Sequence, residues 1–180
     1  MVHRFDASSA ECLVFTYKEG LLSAVAHDLK IRVTKFAIAV DATARSVEAS
    51  FDARSLRVVS AMQGTAELTG SLSTANKREI EGNIVRDVLE AGAHPEIRFV
   101  STRVKETAKG YTLTGRLGLH GTERTATVAV RETATHYIGE TRVHQPDFGI
   151  RPYTALLGAL KVQADVVVRV TLPRGSSLPP

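Results

Sequence analysis

The stretch Leu160-Lys-Val-Gln-Ala-Asp-Val-Val-Val-Arg-Val170 decides the fold class, because apolar and polar side chains alternate along most of it. Successive side chains of a β-strand point to opposite faces, so this alternation separates a core face from a solvent face. The core face consists of Leu160, Val162, Ala164, Val166, Val168 and Val170. The stretch therefore predicts one long, half-buried strand near residues 159–172.

The same alternation recurs along most of the chain. It sets Tyr111, Leu113, Leu117 and Leu119 on one face of a second run, and Phe51 on the apolar face of a third. Runs of strand length lie near residues 12–18, 29–41, 46–53, 96–106, 110–120, 124–133, 136–145 and 159–172. Short turn-like links join most of them, which favours antiparallel pairing. The fold class predicted is mainly β, an extended antiparallel β-barrel of about eight strands.

A change of phase marks the segment from Leu29 to Asp41. Its apolar residues alternate in one register up to Val33 and in the other register from Phe36 onward. A one-residue slip would turn the second half inside out, and a β-bulge is the usual repair. We therefore predict one long strand bent at Thr34-Lys35.

One helix is predicted among the strands, over residues 77–90. Asn76 and Glu79 have the spacing of a capping box, and apolar residues from Ile80 to Leu89 recur at helical spacing. Gly82 weakens the helix by about 1 kcal/mol relative to Ala, so docking on the sheet must stabilise it.

Composition limits the classes of protein. With 180 residues, 43% hydrophobic and 23% charged, the chain is predicted to fold as one domain over residues 1–172, followed by a disordered tail at 173–180. The net charge of +4 comes from scattered Lys and Arg, which predicts a solvated basic surface or attraction to an anionic headgroup, and no nucleic-acid partner.

Cys12 is predicted to be a buried small hydrophobe. The sequence lacks an apolar leader and a stretch long enough for a membrane helix, which predicts a cytoplasmic protein without a transmembrane segment.

Catalytic signatures are missing from the sequence. It contains no glycine-rich phosphate loop, CxxC pair, HExxH helix or nucleophile elbow, so we predict no enzyme, no catalytic residue, no metal ligand and no cofactor. A barrel could still bring His27, His120 and His144 together, for hydrogen bonding or as a ligand or headgroup site. Asp28 either orients His27 or caps a turn, and the turn cap is favoured because adjacent strand residues face opposite ways.

Three motifs then carry a resemblance to a known family. They are Leu117-Gly-Leu-His-Gly-Thr-Glu-Arg124, Asp147-Phe-Gly-Ile150 and His94-Pro-Glu-Ile-Arg-Phe99. In this order they resemble the YceI-like, or polyisoprenoid-binding, family over about residues 5–172. The resemblance implies a lipocalin-like barrel with a helix packed against it, a homodimer, and an isoprenoid or fatty-acyl chain bound in the apolar lumen. Many relatives are periplasmic.

A strand of thirteen residues runs about 40 Å, a length that suits an elongated apolar guest. The predicted function is binding or carriage of a long-chain amphiphilic lipid, such as a polyisoprenoid, an isoprenoid quinone or a fatty-acyl compound. The alternatives are a filled barrel acting as a stress-related or protein-interaction module, and an enzyme acting on such a lipid. A headgroup is expected at the mouth, beside Arg or Tyr. The predicted ligand-binding residues, for which plain core packing is the alternative, are Phe36, Ile38, Phe51, Phe99, Leu113, Leu117, Leu119, Phe148, Val162, Val166 and Val168.

Overall fold

The computed structural model describes residues 1–19 and 27–174. Within them the strands are β1 (Val2–Asp6), β2 (Glu11–Thr16), β3 (Lys18–Glu19), β4 (Asp28–Val33), β5 (Phe36–Asp41), β6 (Ser46–Asp52), β7 (Leu56–Gln63), β8 (Ala66–Leu68), β9 (Glu96–Thr107), β10 (Gly110–Leu119), β11 (Thr122–Glu132), β12 (His136–His144), β13 (Thr154–Ala155), β14 (Leu160–Val162) and β15 (Asp165–Pro173). Helix α1 (Thr74–Asn83) continues into a π-helical turn at Ile84–Val88. The tail predicted at 173–180 lies outside the described residues from position 175 onward.

Twelve strands form a single antiparallel sheet in the order β1-β5-β6-β9-β10-β11-β12-β15-β2-β4-β7-β8. The sheet curls strongly into a half-barrel around one apolar core, and β13, β14 and β3 form a small separate sheet. The predicted fold class is confirmed. The predicted count of about eight strands is too low, because β1, β7, β8 and β13 were not predicted and the runs near 12–18, 29–41 and 159–172 are each divided into two strands.

The bend predicted at Thr34-Lys35 is a corner between two strands, so the prediction of one continuous strand is wrong. β4 pairs with β2 and β7, whereas β5 pairs with β1 and β6. Two backbone hydrogen bonds continue the strand pairing at the corner. The Thr34 N–H donates to the Ser55 carbonyl, and the Asp52 N–H donates to the Lys35 carbonyl. At this corner the chain passes from β4, near one end of the sheet order, to β5, near the other end.

The predicted strand at 159–172 is also divided. Leu160 and Val162 lie in β14, where Val162 pairs with Lys18 of β3 in the small sheet. β15 begins at Asp165, between β12 and β2. The division falls at Gln163-Ala164, where the Gln163 N–H donates to the Tyr17 carbonyl and the Ala164 carbonyl accepts from the Gln145 N–H. Alternation continues through this point because β14 and β15 are both half-buried.

Helix α1 begins earlier than predicted. Ser73 is the N-cap, and its hydroxyl accepts from the Asn76 N–H at 3.1 Å. The Asn76 side chain accepts from the Ser73 N–H, so Asn76 is the third residue of the capping box rather than its first. The α-helix ends at Asn83, and the following π-helical turn extends the helical segment to Val88. The predicted bounds of 77–90 are therefore corrected at both ends.

A β-bulge in β7 docks this helix. The register between β4 and β7 shifts so that Val59 lies opposite no β4 residue. The Val58 N–H donates to the Glu81 carboxylate at 2.8 Å, and the Val59 carbonyl accepts from the Lys77 ammonium at 2.7 Å. Helix side chains thus satisfy backbone groups beside the bulge, as buried backbone groups require.

Among the described residues, the helical segments are too short and too polar to cross a membrane.

Candidate functional site: an apolar lumen

The half-barrel encloses a cavity of about 660 Å³, which we call the lumen. Most of its lining is aliphatic or aromatic and comes from alternate positions of the curled sheet. The apolar lining residues include Cys12, Val14, Ile38, Ala49, Phe51, Phe99, Leu113, Leu117, Val128, Val143, Val166, Val168 and Val170. The volume lies within the range of about 300–1,000 Å³ that is typical of small-molecule pockets.

Eight of the eleven predicted ligand-binding residues line this cavity. They are Ile38, Phe51, Phe99, Leu113, Leu117, Leu119, Val166 and Val168. The structure places the other three elsewhere. Phe36 is buried against Phe51, with ring centroids 5.9 Å apart, Phe148 is buried in the core beyond the lumen, and Val162 belongs to the small sheet. Ligand binding by any of the eleven residues stays a prediction.

Several lining residues were not predicted. Phe5 lies on β1, whose short and mostly polar sequence gives little alternation. Cys12 is followed by the buried Leu13, so the two faces of β2 cannot be told apart by hydropathy. Val143 is followed by the exposed His144, and this alternation could have identified it.

Polar groups gather at one end of the lumen, which we call the polar end. Arg45 comes from the β5–β6 turn, Ser46 begins β6, and Glu106 pairs with Tyr111 across β9 and β10. The ring of Tyr137 lies 6.3 Å from that of Tyr111. Burial, and then the neighbouring Tyr137 and acidic groups, raise the pKa of Tyr111. Its phenol therefore stays a neutral hydrogen-bond donor at physiological pH.

Leu89 and Leu119 line the lumen away from these polar groups, at what we call the helix end. His120 follows Leu119, and its ring lies 4.5 Å from that of His94. Of the two roles considered for His144, the structure shows hydrogen bonding, because its Nδ1 lies 2.6 Å from the Asp165 carboxylate. Among the described residues, His27, His120 and His144 do not form a group with metal-ligand spacing. The Asp28 carboxylate accepts from the Lys18 N–H of β3 at 2.8 Å, a contact between residues ten positions apart, so the turn-cap interpretation of Asp28 stays a prediction.

The wall of the lumen is only partly paired between β11 and β12. Their pairing runs from Ala129↔Glu140 to Glu132↔Tyr137 and then stops. Beyond it the strands separate, and a surface cavity between them shares Leu117, Ala126, Thr141 and Val143 with the lumen. A hydrogen bond from the Thr141 hydroxyl to the Thr127 carbonyl, 2.8 Å, crosses this gap.

Together, these features define an antiparallel barrel-like protein built around an apolar internal cavity with one polar end. Over residues 5–173 the sequence matches the YceI-like domain family. The chain belongs to that family.

Solved structures share the fold. BcnA of Burkholderia cenocepacia matches with a TM-score of 0.62 at 17% identity, covering 94% of this chain and 99% of that one. A polyisoprenoid binding domain from Saccharophagus degradans, implicated in plant cell wall breakdown, matches at 0.55 and 12% identity, with 95% of each chain covered. A mutant Campylobacter jejuni YCEI protein with a monobromobimane guest matches at 0.55 and 11%, covering 81% and 85%. No curated protein matches the sequence.

Proposed function

We propose that this protein binds or carries a long-chain amphiphilic lipid, with its apolar chain in the lumen and its headgroup at the polar end. The observation that carries the proposal is the cavity of about 660 Å³ with its mostly apolar lining. Family membership supports it, since one structure of the same fold is described as a polyisoprenoid binding domain.

The hydrophobic effect supplies the affinity in this proposal. Each CH₂ group of a guest that leaves water for the lumen contributes about 0.8 kcal/mol. Because the contribution is additive along the chain and has little directionality, polyisoprenoid, isoprenoid quinone and fatty-acyl chains are all candidate guests. The headgroup would contribute orientation more than affinity.

The polar end can meet a headgroup in two ways. The Tyr111 phenol can donate a hydrogen bond to a quinone carbonyl or a carboxylate, and the exposed Arg45 guanidinium can pair with an anionic group. Glu106 lies near Tyr111, and its negative charge opposes a second negative charge on the headgroup. This composition favours a neutral or singly charged headgroup over a pyrophosphate.

Two other functions compete with lipid binding. A protein-interaction module with a filled core would need a packed interior, and a cavity of about 660 Å³ argues against one. An enzyme acting on the lipid would need reactive groups aimed into the lumen. The polar groups lining its polar end are Asp41, Arg45, Ser46, Glu106, Tyr111 and Tyr137.

The decisive experiment has two parts. The purified protein is extracted with organic solvent and the extract is analysed by mass spectrometry, and the delipidated protein is then titrated with fluorescent prenyl and fatty-acyl probes. We expect a stoichiometric long-chain amphiphile in the extract and saturable probe uptake. A clean extract together with no uptake of either probe would overturn the proposal.

A matched pair of variants locates the guest. Val128 lines the lumen, whereas its neighbour Ala129 is exposed on the outer face of β11. We expect Val128→Trp to exclude about two CH₂ groups, which costs about 1.6 kcal/mol and weakens probe binding by about tenfold or more. Ala129→Trp should bind as the wild type does. Equal effects of the two substitutions would place the guest outside the lumen.

A further inference from the structure

Three side chains that the proposed lipid site does not use meet at the helix end of the lumen. Glu90 follows the π-helical turn, His94 lies in the turn before β9, and His120 lies in the turn between β10 and β11. One donor atom from each lies within 4.8 Å of the others. Among the described residues, no other group of at least three His, Cys, Asp or Glu side chains has such a spacing.

Hydrogen bonding fixes the tautomer of His120. Its Nδ1 lies 3.2 Å from the Phe148 carbonyl oxygen, which can only accept a hydrogen bond. Nδ1 therefore carries a proton, and in the neutral ring the lone pair is on Nε2. This is the arrangement found in metal-binding histidines, where a carbonyl or carboxylate orients the ring through the nitrogen that does not bind the metal.

The Nε2 atom of His120 has no hydrogen-bond partner although it is buried. Oε2 of Glu90 lies 3.4 Å from it. A lone pair facing a carboxylate oxygen at this distance is repulsive unless a cation or a proton lies between them. The unpaired nitrogen therefore points to a positively charged ligand.

His94 completes the group from the other side. A Cβ atom on Gly121 would lie 2.9 Å from Cε1 of His94, so glycine at this position leaves room for the imidazole beside His120. Glu90 and His120 both have positive φ, 44° and 53°, a conformation that non-glycine residues rarely adopt. Two of the three side chains therefore lie on backbone conformations that the surrounding structure has to maintain.

We propose that Glu90, His94 and His120 form a binding site for a divalent transition-metal ion of the Zn²⁺ class. Two imidazoles and a carboxylate suit such ions, whereas Mg²⁺ and Ca²⁺ prefer oxygen ligands alone. Metal–ligand distances of about 2.0–2.2 Å require the donor atoms to move closer together. Glu90 is free to do so because 58% of its side chain is exposed, and this exposure also leaves a coordination position for water.

Such an ion would fasten the end of the helical segment to the sheet. Glu90 directly follows Leu89, which lines the lumen, and His120 directly follows Leu119, which lines it as well. Coordination of Glu90 and His120 to one ion would hold these two leucines in place at the helix end. The site does not depend on a lipid being bound, so it can be tested apart from the lipid-binding function.

The test uses the full chain, treated with a chelator and then dialysed. Isothermal titration with Zn²⁺ should show one specific site, and Co²⁺ should give the visible absorption bands of a low-symmetry site with nitrogen ligands. Glu90→Gln and His94→Ala should each weaken Zn²⁺ binding by at least about tenfold, the loss that removing even an outer partner of a metal ligand causes. His136→Ala and Glu79→Gln, which alter exposed residues on β12 and α1, are the matched controls.

Two results would overturn the proposal. The first is Zn²⁺ binding that is absent, or that falls no more in Glu90→Gln and His94→Ala than in the controls. The second is an NMR titration in which His120 takes up a proton at Nε2 and pairs with Glu90, while Zn²⁺ leaves its resonances unchanged. Because Glu90 is exposed, Glu90→Gln keeps the test valid even where His94→Ala fails to fold. Probe uptake by the lumen is unaffected by either result, so the two proposals fail separately.

Discussion

Cys12 shows how one residue can belong to both the core and the lumen. Only 1% of its surface is exposed, it lines the cavity, and it pairs with Val170 across β2 and β15. Its burial was predictable from the apolar run Cys-Leu-Val-Phe. Its position on the lumen face was not predictable, since apolar residues occupy both faces of β2 there.

Cys12 is expected to be unreactive toward water-soluble thiol reagents in the folded protein. Burial, followed by the nearby Glu11 carboxylate, raises the pKa of the thiol to about 12, so the reactive thiolate is scarce at neutral pH and increases only in strong alkali. Labelling with a charged disulfide reagent should be slow at neutral pH and fast after denaturation. Rapid labelling of the native protein would contradict both the burial and the raised pKa.

Gly115 permits a close approach between β10 and β9. A Cβ atom there would lie 2.4 Å from the Val100 carbonyl oxygen and 2.6 Å from the Phe99 ring, which lines the lumen. We expect Gly115→Ala to displace Phe99 and to lower the free energy of unfolding by about 1–3 kcal/mol, as overpacking typically does.

Urea denaturation with Gly92→Ala as the control checks this expectation. A Cβ atom on Gly92 meets no atom within 4 Å, so its replacement should be nearly neutral. Similar stabilities for the two variants would mean that β9 and β10 can move apart at no cost.

Irregularities explain which elements could be predicted from the sequence. β10 and β11 keep strict alternation and were placed within about two residues. β7 was missed because its bulge at Val59 interrupts the period of two, and the pattern Leu56-Arg-Val-Val-Ser-Ala-Met-Gln63 then resembles neither a strand nor a helix. The helix was recognised from Ile80 to Leu89, but its N-cap was misplaced because Ser73 lies outside the apolar pattern.

Docking of α1 on the β7 bulge should depend on Glu81. Glu81→Ala leaves the buried Val58 N–H without its acceptor, and an unsatisfied buried donor costs about 1–3 kcal/mol. Glu79→Ala, an exposed change on the same helix, should cost almost nothing. Chemical denaturation of both variants measures the difference, and a loss in Glu79→Ala equal to that in Glu81→Ala would show that helix propensity rather than the bulge contact is responsible.

For the whole molecule, alternation predicted an antiparallel barrel-like fold with one helix but could not distinguish a filled core from a lumen. Leu117 and Phe36 have the same kind of sequence environment, yet the first lines the cavity and the second packs against a neighbouring ring. The difference arises from sheet curvature and from the corner at Thr34-Lys35, which depend on contacts between distant parts of the chain. The pairing of His94 with His120 is equally nonlocal.

A bound guest should stabilise the entire fold. A fatty-acyl compound present at about 100 times its Kd adds about 2.7 kcal/mol, which for a chain of this size raises Tm by about 5–10 °C. Thermal unfolding followed by circular dichroism, with and without the compound, checks the shift. The increase should be much smaller for Val128→Trp at the same concentration, and an equal increase would indicate binding at the surface.

The position of β15 has a consequence for the order of events during synthesis. It lies between β12 and β2, pairing Val168 with both Thr141 and Val14, so the sheet has a missing strand until Asp165–Pro173 has been made. A nascent chain that ends before residue 165 holds β2 and β12 as open edges, with the apolar interior exposed to water. Such edges invite pairing with other chains. Closure must therefore follow translation of β15, and any chaperone that protects the nascent chain has to act before that moment.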